Sequence, residues 1–140
     1  MKWVFAGLVV IAALTVGLAI WARQAPSDAA HWHAMPGAVT DRDMAGGAMR
    51  VVGAGEAGLS ELDQIIRAEP RTTVLAGSVE EGMITYITRS AVFGFPDYIT
   101  IRQNGAQIEL YSRLRFGASD MGVNGKRLDR WLAVFGQGGG

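Results

Sequence analysis

A run of twenty residues without a charged side chain, from Trp3 to Ala22, dominates the start of this 140-residue sequence. A helix rises about 1.5 Å per residue, so a run of this length spans a bilayer's hydrocarbon core of about 30 Å. Trp3 and Trp21 stand at its two ends, where indole rings favour the lipid headgroups. The segment 1–23 is therefore predicted to be a transmembrane anchor in contact with the lipid bilayer.

A cleaved signal peptide is the alternative interpretation of this run. Signal peptides have a shorter apolar region, about 7–15 residues, followed by a cleavage site with small side chains. Ile20 lies three places before a possible cut after Ala22, where such a site requires a small residue, so a retained single-pass anchor is favoured. Positive charge is almost balanced on the two sides, but a very short N-terminal tail usually stays cytoplasmic. We therefore expect a cytoplasmic N-terminus and a domain on the periplasmic, or extracytoplasmic, side.

Charge and cysteine content exclude several functional classes. Lys plus Arg equals Asp plus Glu, 13 of each, so nucleic acid is not an expected partner. The chain has no cysteine, which excludes disulfides, thiolate metal sites and cysteine nucleophiles. His31 and His33 are one residue apart, but a metal site needs three or four ligands. The favoured interpretation is an interfacial Trp32 with polar neighbours, and no metal or cofactor is predicted.

The chain divides into four parts by composition. After the anchor, residues 24–58 contain Pro and Gly without a sustained period of two or 3.6, which indicates a linker. The folded domain is predicted over residues 59–136, and residues 137–140 are expected to form a flexible tail. Ser60 is predicted to cap the first helix of the domain, with Asp63 completing a capping box.

Four strand candidates follow that helix. An Asn104-Gly105 turn is a strong signal for a two-residue hairpin between the last two candidates. This turn predicts that Ile101 faces Ile108 on the buried side of the sheet and that the opposite side is more solvated. The strand candidates are Thr72–Ser78, Met83–Ser90, Tyr98–Gln103 and Ala106–Arg115.

A final amphipathic helix completes the predicted fold. Its apolar positions recur at helical spacing, with Asn124 as the expected cap and Gly136 as the expected end. The order α-β-β-β-β-α predicts a small α+β domain of two layers, an antiparallel four-stranded sheet with helices on one face. The apolar stripe consists of Leu128, Trp131, Leu132 and Phe135.

The stretch SRLRFGASDMGVNGKR, which starts at Ser112, resembles the C-terminal signature of the DUF1499 family, a domain of unknown function. Arg89-Ser90 and the run from Phe93 to Asp97 resemble the middle segment of the same family. The likeness covers roughly residues 59–135, and it implies a bacterial or plastid-type protein, often membrane-anchored, which here suggests a bacterial inner membrane. It implies no activity. The matching positions are Ser112, Arg113, Arg115, Gly117, Ser119, Asp120, Gly122, Asn124 and Arg127.

Part of this signature is a candidate binding site for a small anionic ligand or lipid headgroup. Arginines beside a glycine-containing loop at a helix start offer positive charge and free N–H groups to an anion. The favoured alternative is purely structural, since the same residue types cap helices and fix turns through ion pairs. The candidate ligand-binding residues are Arg113, Arg115, Ser119, Asp120, Asn124 and Arg127.

Phe93 and Phe95 form a second candidate surface, in a Gly- and Pro-bounded connection between strands. They would either pack inward on Trp131, which is favoured for a core this small, or form an apolar interaction patch.

A non-enzymatic accessory or interaction subunit of a membrane-associated complex is the favoured functional hypothesis. The alternative is a binding domain for an anionic ligand at the Arg113–Arg127 corner. An enzyme that uses Asp97 and Asp120 is the least favoured, because no nucleophile with an adjacent base is indicated and nearby arginines should lower carboxylate pKa values. No catalytic residue is assigned.

Overall fold

A computed structural model describes residues 1–138 of the chain. Its first helix, α1, runs from Lys2 to Gln24 and exposes almost all of its side chains. The helix is long and apolar enough to cross a membrane, a test that a signal sequence would also pass. A short helix, α2 (Ala29–Trp32), follows it, with Asp28 as the N-cap residue. The side chain of Asp28 accepts a hydrogen bond from the backbone N–H of Ala30 at 3.0 Å.

The domain is built on one antiparallel sheet of six strands in the order β1-β2-β6-β5-β4-β3. Strands that follow one another in the chain are neighbours in the sheet, except that β2 pairs with β6 rather than with β3. This pairing places β1 and β2 beside the C-terminal β5–β6 hairpin. The strands are β1 (Arg42–Met44), β2 (Gly47–Gly53), β3 (Thr72–Ser78), β4 (Met83–Arg89), β5 (Pro96–Asn104) and β6 (Gln107–Leu114).

The expectation of four strands was therefore wrong by two. Both additional strands lie within the 24–58 segment interpreted as linker, and β2 pairs with β6 along its whole length. The helix-facing positions of β2 are Ala48, Arg50 and Val52, so an arginine interrupts the apolar alternation that identifies a strand. Arg50 is accommodated there because it forms ion pairs with Asp43 and Asp129, both at 2.8 Å.

Two longer helices pack on one face of the sheet. Helix α3 (Gly58–Arg67) starts before Ser60, without a side-chain cap, so the predicted capping box does not form. Asp63 accepts hydrogen bonds from Tyr86 Oη at 2.6 Å and Arg67 Nε at 2.9 Å instead. Helix α4 (Val123–Gly138) continues past the predicted end at Gly136 and includes two residues of the expected tail. Residues 139–140 lie outside the described residues.

The core lies between this helix pair and the sheet. Burial of such apolar side chains contributes about 25 cal/mol per Å² and is the main force that holds the two layers together. The predicted helical stripe is confirmed in part, since Leu128 and Trp131 are buried and Leu132 and Phe135 pack at the edge. The buried members are Ala48, Leu59, Leu62, Ile66, Ile84, Tyr86, Ile99, Ile101, Ile108, Leu110, Leu128 and Trp131.

The β5–β6 hairpin forms with a register two residues away from the predicted one. Asn104 pairs with Gln107 across Gly105-Ala106, so Ile101 faces Leu110 rather than Ile108. The left-handed conformation, φ 60°, falls on Gly105, which is the first of the two turn residues. A shift of two residues preserves which side each residue faces, and both isoleucines remain in the core.

The opposite face of the sheet is not solvated as expected. Tyr98 and Thr100 on this face are fully buried, because the chain between α1 and β1 lies across it. Trp32 stacks on Tyr98 with ring centroids 3.9 Å apart and planes 7° apart. His33 Nδ1 lies 2.8 Å from the Thr85 hydroxyl, which lies 2.8 Å from that of Thr100. Residues 26–36 are thus part of the folded domain.

Candidate functional site

A cleft of about 380 Å³ opens at the end of the sheet where α1 joins the domain. Strand ends supply Thr88, Asp97 and Leu114, and the start of α4 supplies Val123 and Arg127. The cleft combines four arginines with three carboxylates and an apolar edge, which is a composition suited to a charged ligand with an apolar part. Its remaining lining residues are Glu69, Arg71, Arg89, Ser90, Phe95, Phe116, Ser119, Asp120 and Arg130.

A polar network at the start of α4 forms the deeper wall of this cleft. Arg127 Nη1 lies 3.1 Å from Asp97 Oδ2 and donates a hydrogen bond to Asn124 Oδ1 at 2.7 Å. Asn124 is fully buried inside the first turn of α4 and accepts a hydrogen bond from the hydroxyl of Ser112. Asn124 therefore ties β6 to α4 rather than capping the helix.

Asp120 takes the capping role at this helix. Its carboxylate accepts hydrogen bonds from the backbone N–H of Gly122 at 2.9 Å and from that of Asn124 at 3.2 Å. Ser119 Oγ accepts one from Met121 N at 3.2 Å, and Met121 adopts the left-handed conformation with φ 54°. Ser119 and Asp120 thus serve the turn, as in the structural interpretation of the signature.

The pKa of Asp97 is raised, which is unusual for a carboxyl beside an arginine. Burial raises its pKa, and the charge and hydrogen bond of Arg127 only partly offset this effect; the negative charge of Asp120 adds to the rise. We expected the surrounding arginines to lower carboxylate pKa values, and for Asp97 the direction is the reverse. Desolvation outweighs the ion pair because the Asp97 side chain is only 18% exposed.

The shallower wall of the cleft carries two arginines that sequence reasoning did not select as ligand-binding residues, Arg71 and Arg89. Arg71 Nε donates to the Arg89 carbonyl at 3.0 Å, and Arg89 N donates to the Arg71 carbonyl at 3.0 Å. Arg71 has a φ of 56°, which is uncommon for a residue with a side chain. The Arg89-Ser90 pair was visible in the family-like pattern, but nothing in the sequence placed it beside Arg71.

The structure separates the candidate anion-binding residues into two groups. Ser119, Asp120, Asn124 and Arg127 lie together at the start of α4, whereas Arg113 and Arg115 belong to the opposite face of the sheet. Strand alternation causes this division, because the side chains of odd-numbered residues in β6 point away from the helices. The six residues do not converge on one ligand.

Both arginines of the second group have protein partners. Arg113 donates to the Thr100 hydroxyl at 2.8 Å and to the carbonyl of Trp32, and its guanidinium lies over the Tyr111 ring at 4.5 Å. Burial lowers the pKa of Arg113 to about 10, although Tyr111 and Tyr98 act in the other direction. Arg115 donates to the carbonyl of Pro26 at 2.9 Å. These arginines hold the 26–36 segment on the sheet.

Phe93 and Phe95 lie beside the end of α1 rather than in the main core. Their rings stack with centroids 5.3 Å apart, and Phe95 also contacts Phe116 at 6.1 Å. Phe116 in turn packs against Trp21 of α1, with centroids 5.1 Å apart. Neither Phe93 nor Phe95 belongs to the core cluster that contains Trp131, so the favoured inward packing does not occur.

The comparison with family models identifies the chain's relatives. A model described as "Protein of unknown function (DUF1499)" matches residues 25–135, which is most of the chain. The chain belongs to the DUF1499 family. The match begins directly after α1 and includes β1 and β2, so the DUF1499 domain extends further toward the N-terminus than residue 59. A search of curated proteins finds no match to the chain.

Proposed function

We propose that this DUF1499 protein is a membrane-tethered, non-enzymatic interaction module, an accessory subunit of a membrane-associated complex, with α1 retained as its anchor. The packing of the end of α1 on the domain supports this proposal most directly. Ala22 is fully buried, and Arg23 Nη2 donates to the carbonyl of Val92 at 2.7 Å. Arg89 Nη1 donates to the carbonyl of Ala22 at 3.3 Å. Cleavage of a signal peptide after Ala22 would remove the buried Ala22 and its bond to Arg89.

The short connection between α1 and the domain determines how far the domain can lie from the membrane. With α1 in a bilayer, the loops that contact its end would lie at the headgroup layer, where an indole such as that of Trp21, packed here on Phe116, is favoured. The domain would then be held against the membrane surface, rather than at the end of a flexible linker. This position suits a module whose partner is a membrane protein.

An apolar groove between α3 and α4 is the surface that we assign to this partner. The groove has a volume of about 660 Å³, and Ile65, Val134 and Phe135 provide its apolar wall. Val134 is half exposed, and Glu61 and Arg130 stand at the rim. Apolar centres with charged rims are typical of protein–protein interfaces.

The ionic contacts of the buried carboxylates favour a non-enzymatic role. Asp97 pairs with Arg127, Asp63 with Arg67, and Glu109 with Arg102. Each of these carboxylates lies in a contact that joins two parts of the fold or two turns of a helix. Such pairs stabilise architecture, whereas a general base needs a carboxylate that faces the substrate.

The proposed location is a bacterial inner membrane, with the N-terminus cytoplasmic and the DUF1499 domain periplasmic. With α1 across the bilayer once, the N-terminus and the domain lie on opposite sides of it. Protease added to spheroplasts should digest the domain, and protection of the domain until the cells are lysed would reverse the assigned orientation.

Purification from native membranes in mild detergent tests the proposed role. The protein should resist carbonate extraction, have an intact mass that includes α1, and co-purify with one membrane protein in fixed stoichiometry. Val134→Glu should release that partner, whereas Met121→Glu, at a position 88% exposed and outside the groove, should retain it. Recovery of the chain alone, or equal retention by both variants, would refute the accessory-subunit proposal.

A further inference from the structure

Three arginines surround a second cavity, of about 290 Å³, that adjoins the cleft. We call Arg23, Arg71 and Arg89 the arginine basin; they come from the end of α1, the residue before β3 and the end of β4. Arg71, Arg89 and Ser90 line both this cavity and the cleft. Three separate elements therefore bring positive charge to one place at the membrane-side end of the domain.

None of the three guanidinium groups forms an ion pair within residues 1–138. Their hydrogen bonds go to backbone carbonyls: Arg23 to Val92 and Ala19, Arg71 to Arg89. Arg89 donates to Gly94 at 3.0 Å as well as to Ala22. These bonds fix the direction of each side chain without neutralising it, and each guanidinium has five N–H groups, so several remain for a ligand.

The carboxylates of the adjoining cleft do not neutralise the basin arginines, because these carboxylates already form ion pairs or hydrogen bonds with other groups. Glu69 pairs with Arg130 and accepts a hydrogen bond from the indole of Trp131 at 2.9 Å. Asp97 pairs with Arg127, and Asp120 caps α4. The charge is thus divided, with paired ions on the α4 side and unpaired cations beside α1.

Reciprocal hydrogen bonds between Arg71 and Arg89 hold the Arg71 guanidinium against the Arg89 backbone. Each backbone contributes to the bonding, at 3.0 Å in both cases, and the turn at Arg71 requires its left-handed conformation. Such a conformation is strained for a residue with a side chain and is found at ligand-binding positions more often than elsewhere. Gly94 allows Arg23 to approach closely, since a Cβ there would lie 2.6 Å from Arg23 Cγ.

We propose that the arginine basin binds a phosphate group, carried either by the headgroup of an anionic lipid or by a soluble phosphate compound. Planar guanidinium groups recognise phosphate through paired N–H donors, and the Ser90 hydroxyl adds a donor at the same cavity. Phe95 and Phe116 form an apolar edge of the adjoining cleft, and Phe116 packs on Trp21 of α1, where lipid acyl chains would begin. The proposal adds a ligand to the tethered module and rests on it only for the lipid source.

Native mass spectrometry of the full chain in dodecyl maltoside tests the proposal with three probes: dioleoyl phosphatidic acid, dioleoyl phosphatidylcholine and inorganic phosphate. Arg71→Gln removes one basin charge at an exposed position, and Arg42→Gln removes an equal charge from an exposed position on β1, outside both cavities. Arg71→Gln should weaken phosphatidic acid binding about tenfold, since one charge-assisted contact is lost, and Arg42→Gln should not weaken it. Arg71→Lys, which keeps the charge but not the planar donors, should give an intermediate loss.

The outcomes of these measurements either support or refute a phosphate-binding site in the arginine basin. Selective retention of phosphatidic acid, lost in Arg71→Gln, supports a lipid source, and the same dependence with inorganic phosphate supports a soluble source. Equal weakening in Arg71→Gln and Arg42→Gln, or no binding of any probe by the folded wild type, overturns the inference. If the chain resists carbonate extraction but binds no phosphate, only this inference fails. If it is extracted by carbonate but binds inorganic phosphate through Arg71, the tether fails instead.

Discussion

Trp32 lies flat on Tyr98, with ring planes 7° apart and centroids at 3.9 Å. The guanidinium of Arg113 lies 5.5 Å from the centre of the Trp32 ring and donates to its backbone carbonyl. This contact joins a residue from the chain after α1 to the centre of the sheet. The N-terminal part of the DUF1499 domain is therefore held by packing as specific as that of its helices.

Replacement of Trp32 by alanine should destabilise the domain by about 2 kcal/mol, through loss of the stack on Tyr98 and of the cation–π contact. Urea unfolding of the full chain in detergent, followed by circular dichroism, measures the change. Trp3→Ala is the matched control, since Trp3 is 89% exposed on α1. An equal effect of both substitutions would show that Trp32 does not support the sheet.

Gly47 tests whether β2 is an interior strand. A Cβ at Gly47 would lie 2.5 Å from the Ser112 carbonyl oxygen and 3.1 Å from Arg113 Cα, so Gly47→Ala should force β2 away from β6. We expect a loss of about 2 kcal/mol in the free energy of unfolding. Gly53→Ala, at the other end of β2, meets nothing within 4 Å and should change stability by less than about 1 kcal/mol. Unfolding curves that do not distinguish the two variants would contradict this pairing.

Asp97 and Glu109 should give opposite pH dependences. Burial raises the pKa of Asp97, so ionisation of this carboxyl opposes folding. The stabilising contribution of the protonated carboxyl is therefore lost as the pH rises through the raised pKa. Burial also acts to raise the pKa of Glu109, but hydrogen bonds from Asn104 and Arg102 lower it overall. The contribution of Glu109 is therefore present at neutral pH and lost as pH falls through the lowered value.

Urea unfolding of wild type, Asp97→Asn and Glu109→Gln between about pH 3 and pH 8 separates these effects. The stability difference between wild type and Asp97→Asn should shrink as pH rises. The difference between wild type and Glu109→Gln should shrink as pH falls. The same sign for both carboxyls would mean that the Arg127 ion pair, rather than desolvation, controls Asp97.

Truncation tests the domain boundary. A chain that begins at Leu59 lacks β1, β2 and Trp32, so it should leave the β6 edge and Tyr98 uncovered and fail to fold. A chain that begins at Ala25 retains the whole sheet and should give the dispersed amide NMR spectrum of a folded domain. Equally dispersed spectra for both chains would restore residue 59 as the boundary.

The sequence predicted the parts of this fold that have regular apolar periods. The stripe of α4 and the alternation in β5 and β6 identify buried residues correctly, even though the hairpin register differs by two residues. Strand β2 was missed because Arg50 stands at a helix-facing position, and only the three-dimensional contacts with Asp43 and Asp129 explain it. Local patterns do not contain such contacts.

The candidate site was harder to predict for the same reason. Asp120 and Asn124 are neighbours in sequence and in space, and their pattern was visible. Arg71 and Arg89 are joined by strand pairing, and Arg23 approaches them through the position of α1. Arg113 was selected because it lies near Arg127 in sequence, but strand alternation puts the two side chains on opposite faces of the sheet.

Cross-linking tests most directly whether α1 is retained and packed on the domain. The chain has no cysteine, so Trp21→Cys with Phe116→Cys introduces one thiol pair where two rings now lie 5.1 Å apart. A short bis-maleimide added to native membranes, followed by cyanogen bromide cleavage at methionine, should yield fragment 2–35 covalently joined to fragment 84–121. The Trp3→Cys, Phe116→Cys pair should leave these fragments separate. Separate fragments from the first pair as well, or a mature chain that begins beyond Ala22, would contradict the account.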